Sequence, residues 1–271
     1  MLRSNSPPKL VPFMAFANRM THALRQHWHH YLAEAGGPLL FLVFSSTAAV
    51  VFHHPGSPVA RALGPHEWVQ RLGMGVVMGL LVAAMAYSPW GKRSGGHFNP
   101  AVTLGFWHLG HIRTPDALWY GLAQFSGALL AGFGMCEALK PWFGHPAIHY
   151  NTTRPAAGAH GWAWALGAEA VISAGLMLVL LMCLHSAGLK KWTGALVGLL
   201  LAAYVTVESP LSGMSLNPAR TLGAAAAAGQ WQGLWLYFAG PLLAMWATAA
   251  AYRREHRPGA EHPPTYPDPA A

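Results

Sequence analysis

Long apolar stretches alternate along the chain with short polar segments that are rich in proline, glycine and basic residues. Six of these stretches approach the ~20 residues that a helix needs to cross the hydrocarbon core of a bilayer. They are residues 31–52, 68–87, 116–139, 162–184, 192–207 and 231–252. The fifth is rather short, but the pattern as a whole predicts an all-α protein with six transmembrane helices.

Two further apolar segments are interrupted by glycine and proline and cannot be ordinary spans. The first contains only about ten apolar residues, from Asn99 to about His108, which as a helix reach ~15 Å, or half of a ~30 Å bilayer core. The second runs from Pro210 to about Ala228. A segment that enters and leaves on one side is permitted where protein buries it or where it lines a cavity. We therefore expect two re-entrant half-helices.

The same short motif opens both half-helices. Asn99-Pro100-Ala101 and Asn217-Pro218-Ala219 are each followed, two residues after the alanine, by Thr-Leu-Gly. Asparagine is a favoured helix N-cap, and proline is favoured at the first helical position. One copy alone would suggest only a capped surface helix, but two copies in this context indicate an internal duplication.

Other similarities support the duplication. Residues 32–35 resemble 167–170, and 125–131 resemble 238–244. Each half has three spans, an odd number, so the second half must be inverted in the bilayer. The basic loops and tails then lie on one side, which predicts cytoplasmic termini by the positive-inside rule. We expect an N-terminal tail at 1–30, a channel domain at 31–252 with repeats near 31–140 and 161–252, and a C-terminal tail at 253–271.

Composition agrees with a membrane protein. Apolar residues make up 53% of the chain and charged residues 10%, with a formal net charge of +8. The basic residues flank apolar runs and form no patch with interleaved aromatics, so we expect no nucleic-acid partner. His27, His29 and His30 lack partner ligands at regular spacing, and we expect neither a metal nor a cofactor. Residues 1–30 lack the features of a signal peptide, so we expect the first span to direct insertion. We expect the protein to lie in an inner or plasma membrane.

The chain resembles the aquaporin family, also called the major intrinsic proteins. The two Asn-Pro-Ala motifs carry the resemblance, together with Arg220 directly after the second, and it extends from about residue 31 to 252. It implies a passive channel for water and small neutral solutes, not an enzyme. It also implies a homotetramer with one pore per subunit, for which the sequence itself contains no signal.

In such a channel the two half-helices meet at the membrane midplane. Asn99 and Asn217 would cap their helices with the side-chain oxygen and turn each NH2 group into the lumen as a donor. Ala101 and Ala219 are small enough to let the tips abut. Each helix N-terminus carries about half a positive charge, so the pair disfavours cations and a proton-conducting water chain.

Buried charges near the half-helices have expected roles. Arg220 must face water and backbone carbonyls, and we expect it to form a selectivity filter. By resemblance, Glu34 and Glu169 support the re-entrant loops by accepting hydrogen bonds from their N–H groups; the alternative is a proton-relay pair. We expect His97 to be a packed, hydrogen-bonded loop residue.

The resemblance also places residues at the constriction. They are Arg220, Met78, Val205 and the loop backbone around Met214. Water-strict members usually have an aromatic residue and a histidine where Met78 and Val205 stand, so strict water selectivity is in doubt. Thr221 and the pair 237–238 instead favour the water branch, and residues 210–215 resemble the nodulin-26-like branch.

Three alternatives remain open from sequence. The channel could serve mainly glycerol, boric or arsenous acid, or ammonia. A secondary transporter also uses inverted repeats and broken helices, but it would need more intramembrane acids than Glu34 and Glu169. An intramembrane enzyme is disfavoured because no Ser/His or metal-ligand pair lies at helical spacing within the spans. Asn151-Thr152-Thr153 fits a glycosylation sequon, to which we give little weight.

Overall fold

The computed structural model describes residues 10–255, and within them it consists of α-helices, one 3₁₀ turn and connecting loops. The first repeat contains α1 (Leu10–His53), α2 (Pro58–Leu63), α3 (Glu67–Tyr87), α4 (Pro89–Ser94), α5 (Pro100–His108) and α6 (Thr114–Ala138). The connection contains α7 (Lys140–Phe143) and the 3₁₀ turn His149–Asn151. The second repeat contains α8 (Gly161–His185), α9 (Ala187–Lys190), α10 (Thr193–Val207), α11 (Ser209–Ser212), α12 (Pro218–Ala228) and α13 (Leu236–Glu255).

Helix packing follows the duplication that the sequence predicts. Helix α1 packs on α6 as α8 packs on α13, and α3 packs on α10 between the two halves. Each half-helix also crosses over: α5 packs on α13, and α12 packs on α6. The half-helices are therefore enclosed by protein, the condition under which a re-entrant segment is tolerated in a bilayer. The predicted fold, six long helices plus two half-helices in an inverted repeat, is confirmed.

The central crossing of α3 and α10 depends on glycine. Gly79 and Gly198 face each other, and a Cβ atom on either would collide with the carbonyl oxygen of the other. Close approach of this kind lets helices associate through backbone van der Waals contact, which is the usual means of helix association in lipid.

The long helices differ in apolar character. Three of the described helices are long and apolar enough to cross a membrane by length and composition, and they are α1, α3 and α8. Helix α10 is apolar but has only 15 residues. Helices α6 and α13 have 25 and 20 residues but do not meet the same measure. Both pack against a half-helix, so part of each surface faces protein instead of lipid.

Helix α1 begins well before the predicted first span at residue 31. Its early turns pack on the start of α6: His27 Nδ1 and the Tyr31 hydroxyl each lie 2.7 Å from Asp116 Oδ1. Trp119 Nε1 donates to a backbone carbonyl in the same part of α1 at 3.0 Å. These contacts explain why a segment without an apolar span pattern is helical.

One side of the bundle holds the start of α1, the start of α6 and the end of α13, where Arg253 Nη1 donates to the carbonyl of His108 at the end of α5. We call it the terminal side. The opposite, distal side holds the start of α8 and the connection 139–160.

Candidate functional site

Both half-helices begin with the same cap. Asn99 Oδ1 accepts from the Ala101 N–H at 2.8 Å, and Asn217 Oδ1 accepts from the Ala219 N–H at 3.0 Å and the Arg220 N–H at 3.4 Å. Both asparagines have extended backbone, and a proline follows each as the first helical residue. The local sequence is sufficient to start a helix here, because the cap binds N–H groups that have no partner within the helix.

Reciprocal hydrogen bonds join the two caps. Asn99 Nδ2 donates to the carbonyl of Leu216 at 2.8 Å, and Asn217 Nδ2 donates to the carbonyl of Phe98 at 2.8 Å. Each asparagine thus binds the residue that precedes the other, which brings the two helix tips together. An amide NH2 has two hydrogens, so one remains on each side chain. The sequence interpretation, which turned the whole NH2 group into the lumen, is corrected to one N–H per asparagine.

The loops that lead into the caps have matching backbone conformations. Three pairs of residues, one member from each repeat, have left-handed φ angles. The pairs are Gly95 (85°) with Gly213 (81°), Gly96 (61°) with Met214 (51°), and Phe98 (50°) with Leu216 (60°). The last pair supplies the carbonyls that accept from the asparagines. Non-glycine residues adopt this region at a cost of roughly 1–2 kcal/mol each, so the surrounding contacts must hold the loops in place.

Glu34 holds the first loop. Its Oε1 accepts from the Ser94 hydroxyl at 2.7 Å and the His97 N–H at 3.0 Å, while Oε2 accepts from the Phe98 N–H at 2.6 Å and Gln124 Nε2 at 2.7 Å. The side chain is fully buried. Four donors converge on one carboxylate, so it can compensate for its loss of solvation and fix the loop backbone.

Glu169 holds the second loop in the same way. Its Oε1 accepts from the Ser212 hydroxyl at 2.6 Å and the Ser215 N–H at 2.7 Å, and Oε2 accepts from the Leu216 N–H at 2.8 Å. It too is fully buried. The two glutamates therefore occupy equivalent places in the two repeats, each bound to the loop of its own half.

His97 is packed beside the first cap. Its Nδ1 lies 3.1 Å from Thr103 Oγ1, and its ring centroid is 4.8 Å from that of Phe106 and 5.3 Å from that of Tyr120. The imidazole is 5% exposed. These contacts hold the loop against the first turn of α5.

Arg220 is buried on the first turn of α12, at 4% exposure. Its Nη2 donates to Asn151 Oδ1 at 3.3 Å, and Nε and Nη1 have no hydrogen-bond partner within residues 10–255. Two nitrogens of this buried cation thus make no hydrogen bond to the described part of the protein. An unpaired buried guanidinium is costly.

The sequence reasoning did not predict the contact between Asn151 and Arg220. Asn151 Nδ2 donates to Ser45 Oγ at 2.8 Å and approaches Ser46 Oγ at 3.4 Å, so it links Arg220 to α1. Asn151 is 7% exposed, and both its Oδ1 and its Nδ2 make hydrogen bonds. The glycosylation sequon that begins at Asn151 is therefore inaccessible in the fold. The motif itself drew attention to this residue, but not to its partner.

The other three predicted filter positions belong to one apolar cluster. Met78, Val205 and Met214 are buried at 1%, 5% and 3% exposure and lie in the same group of packed side chains. None of the three can donate a hydrogen bond from its side chain. The predicted filter positions therefore comprise three buried apolar side chains and one buried cation, Arg220 on α12, whose Nε and Nη1 have no hydrogen-bond partner within residues 10–255.

A cavity of about 600 Å³ leads from the terminal side to both caps. Asn99 and Asn217 lie among its lining residues, and so do Lys92, Lys190 and Lys191 at its mouth. Its middle is apolar, with side chains such as Phe41, Leu176 and Leu201. A wide vestibule that ends at two paired amides is the shape that a narrow pore requires on one side.

Two further features were not expected from the sequence, namely the burial of Glu208 and the contact of Tyr237 with the second loop. Glu208, directly after α10, is 6% exposed, and neither carboxylate oxygen has a hydrogen-bond partner within the described residues. Glu208 lies at a predicted helix end, where polar residues are common, so nothing in the sequence indicated that it is buried. Tyr237, at 1% exposure, donates its hydroxyl to the Ser212 carbonyl at 2.7 Å and so braces the second loop.

Comparison with known proteins gives one family. Residues 21–252 match the family model described as major intrinsic protein. Aquaporin NIP2-3 of Zea mays is 37% identical over 205 residues, which cover 73% of this chain and 64% of that protein. Aquaporin NIP1-3 of Oryza sativa subsp. japonica is 34% identical over 214 residues, 78% of this chain and 68% of that protein.

The fold has a counterpart among solved structures. An X-ray structure of the aquaglyceroporin from Plasmodium falciparum superposes with a TM-score of 0.64 at 20% identity, over 85% of this chain and 95% of that one. This likeness concerns the fold alone. The alignment with the Zea mays protein covers just under two thirds of that relative's length.

Proposed function

The chain belongs to the major intrinsic protein family, and on that premise we propose that it is a passive channel for water and other small uncharged solutes. One observation carries the proposal. The reciprocal bonds between the Asn99 and Asn217 caps close the inner end of the 600 Å³ cavity with one remaining N–H from each side chain. Proteins of this family are channels and not enzymes, and the proposal involves no catalysis.

The paired caps account for exclusion of ions. A solute in the lumen would offer its oxygen to the remaining N–H groups of Asn99 and Asn217. A cation offers no acceptor and meets the positive ends of α5 and α12 instead. A water molecule held by two donors also points its hydrogens away from both, which interrupts a chain for proton transfer. The lysines at the terminal mouth, such as Lys92, add to the repulsion of cations.

Arg220 and the apolar cluster would form the filter. The free Nε and Nη1 donors bind solute oxygens, while Met78, Val205 and Met214 accommodate carbon or metalloid groups. We propose that the channel is not strictly selective for water. This combination also favours a second candidate, a facilitator mainly for glycerol, boric or arsenous acid, or ammonia. The name of the relatives, aquaporin NIP, supports a channel without deciding between the two.

Stopped-flow light scattering of proteoliposomes would test both candidates. Vesicles that contain the protein should shrink faster than empty vesicles after an osmotic step, and reswelling in each solute ranks the substrates. Leu176→Trp, in the wall of the cavity, should abolish most of the flux. Leu178→Trp is the matched control, because Leu178 is 46% exposed on the same helix. Equal flux in vesicles with and without protein, for every uncharged solute, would contradict the proposal.

We also propose the orientation that the basic residues predict and the assembly that the family resemblance implies. The channel unit spans residues 31–252, both termini are cytoplasmic in an inner or plasma membrane, and four copies associate with one pore each. The lysines at the terminal mouth support this orientation, because basic residues are enriched on the cytoplasmic side. Labelling of a cysteine introduced at Lys190 from inside or outside intact cells would test it, and chemical cross-linking in the membrane would test the tetramer.

A further inference from the structure

A second cavity, of about 830 Å³, lies on the distal side and does not include the asparagine caps. Four parts of the chain line it, namely residues 152–158, the start of α8, Thr221 and Ala225 on α12, and residues 229–237. We call it the lateral pocket. Nothing in the proposed conduction of solutes uses it.

Hydrogen-bond donors dominate the polar rim of the lateral pocket. Gln230 Oε1 accepts from Arg154 Nη2 at 2.6 Å and from the Thr152 hydroxyl at 3.2 Å. The acceptor of this amide is therefore occupied, while Gln230 Nε2 and Arg154 Nη1 make no hydrogen bond among residues 10–255. The described lining contains one cation and no aspartate or glutamate. A rim of this kind is complementary to an anion with several acceptor oxygens.

Three indole rings form the outer wall of the lateral pocket. Trp162, Trp231 and Trp235 are 53%, 56% and 56% exposed. Tryptophan concentrates where a membrane meets water, because its large apolar ring and its N–H suit the boundary between acyl chains and headgroups. The wall therefore places the pocket at the level of the lipid headgroups on the distal side.

We infer that the lateral pocket binds the phosphodiester headgroup of a membrane phospholipid. The Arg154 guanidinium and the Gln230 amide donate to the phosphate oxygens, and the acyl chains lie along the three tryptophans. An isolated anion would satisfy the rim but leave the indoles exposed, so the lipid accounts for both features. Phosphate groups suit arginine because its planar donors can bind two oxygens at once.

Lipid binding in the lateral pocket would also stabilise the position of Arg220. The floor of the pocket includes Thr221, which directly follows Arg220, and Thr153, whose hydroxyl lies 3.2 Å from that of Thr221. Thr153 is two residues from Asn151, the partner of Arg220. Lipid binding would thus stabilise both segments that hold the arginine.

Lipid titration of the detergent-solubilised full chain, followed by native mass spectrometry, tests the inference without any measurement of flux. Dioleoylphosphatidylglycerol is the probe, dioleoylglycerol has the same chains without phosphate, and glycerophosphoglycerol has the phosphodiester without chains. Phosphatidylglycerol should bind about tenfold more tightly than dioleoylglycerol, the effect expected for charge-assisted hydrogen bonds. Arg154→Gln should remove this difference. Arg61→Gln, an exposed distal arginine outside the pocket, should preserve it.

Two results would overturn the inference. One is an unchanged preference for phosphatidylglycerol in Arg154→Gln. The other is binding of glycerophosphoglycerol as tight as that of the lipid, which would make this a site for soluble phosphate esters. Should Arg154→Gln not give a monodisperse protein, Gln230→Glu replaces it. That variant keeps a partner for Arg154 but adds a carboxylate to the rim, and phosphatidylglycerol should then bind about tenfold more weakly.

Discussion

Asn151 offers the sharpest test of how the filter is built, because one side chain joins Arg220 to α1. The Asn151→Ala substitution removes the acceptor for Arg220 Nη2 and the donor for Ser45 Oγ together. Arg220 would then have no side-chain hydrogen bond within the described residues, since its Nε and Nη1 already lack partners. The guanidinium should sample positions away from the pore axis.

The magnitude follows from two terms. A hydrogen bond to a charged group contributes about 1.5–3 kcal/mol. Asn151 also has a φ of 54°, a region that asparagine tolerates and alanine occupies at a cost of roughly 1–2 kcal/mol. The lower ends of both ranges give a loss of about 2.5 kcal/mol in the free energy of unfolding. The hydrogen-bond term alone corresponds to about a tenfold drop in occupancy of the observed Arg220 position.

Asn151→Asp is the conservative comparison, because it retains both an acceptor for Arg220 and a residue type that suits the same backbone conformation. We expect Asn151→Ala to raise the ratio of glycerol to water permeability in stopped-flow measurements and to lower the thermal midpoint in detergent. Asn151→Asp should keep a ratio close to that of the original protein. Thr47→Ala is the control on α1, since its hydroxyl binds only Val43 of its own helix. An unchanged permeability ratio in Asn151→Ala would refute the role of this residue.

Three other outcomes are expected. Glu169→Leu leaves three buried donors of the second loop without an acceptor, so it should lower the free energy of unfolding by at least about 3 kcal/mol and reduce the yield of monodisperse protein. Glu137→Gln, at an exposed position, should change neither. Arg220→Val should admit cations or larger solutes with little loss of folding; unchanged ion leak and solute ranking in proteoliposomes would exclude Arg220 from the filter. Burial and the nearby Arg154 lower the pKa of His149 below its usual 6.5. Below pH 6.5 the unfolded chain therefore binds a proton at this residue more readily than the folded protein does. The contribution of His149 to stability is thus fully present above pH 6.5 and decreases as the pH falls from 6.5 towards the folded-state pKa. His149→Asn, which tolerates the left-handed backbone, should therefore flatten the decline of the thermal midpoint in mildly acidic buffer, and an identical pH profile would contradict this.

Local signals account for much of what could be predicted. Hydropathy and chain breaks were enough to expect six long helices and two half-helices, and the structure confirms that fold. The caps at Asn99 and Asn217 could be expected because the favoured residues lie within three positions of the N–H groups they bind. Contacts between residues of different helices were harder to predict from the sequence. The structure shows that one hydrogen of each asparagine amide binds the opposite repeat, which no local pattern could indicate.

The missed residues share a physical reason. Asn151 lies in an irregular connection, and its contact with Arg220 joins positions 69 residues apart in sequence. Glu208 looks like an ordinary polar residue at a helix end, yet it is buried by packing of distant segments. The lateral pocket likewise arises only where the connection between the repeats meets the start of α13.

The sequence by itself determined the inverted repeat, the two capped half-helices and the family, because apolar periodicity, N-caps and a duplicated motif are properties of neighbouring residues. Only the tertiary structure decided which hydrogen of each asparagine is free, which side chain holds Arg220 and where a second ligand could bind. Those features depend on distances between segments that are far apart in the chain, and such distances are set when helices pack and bury polar groups that must then find partners.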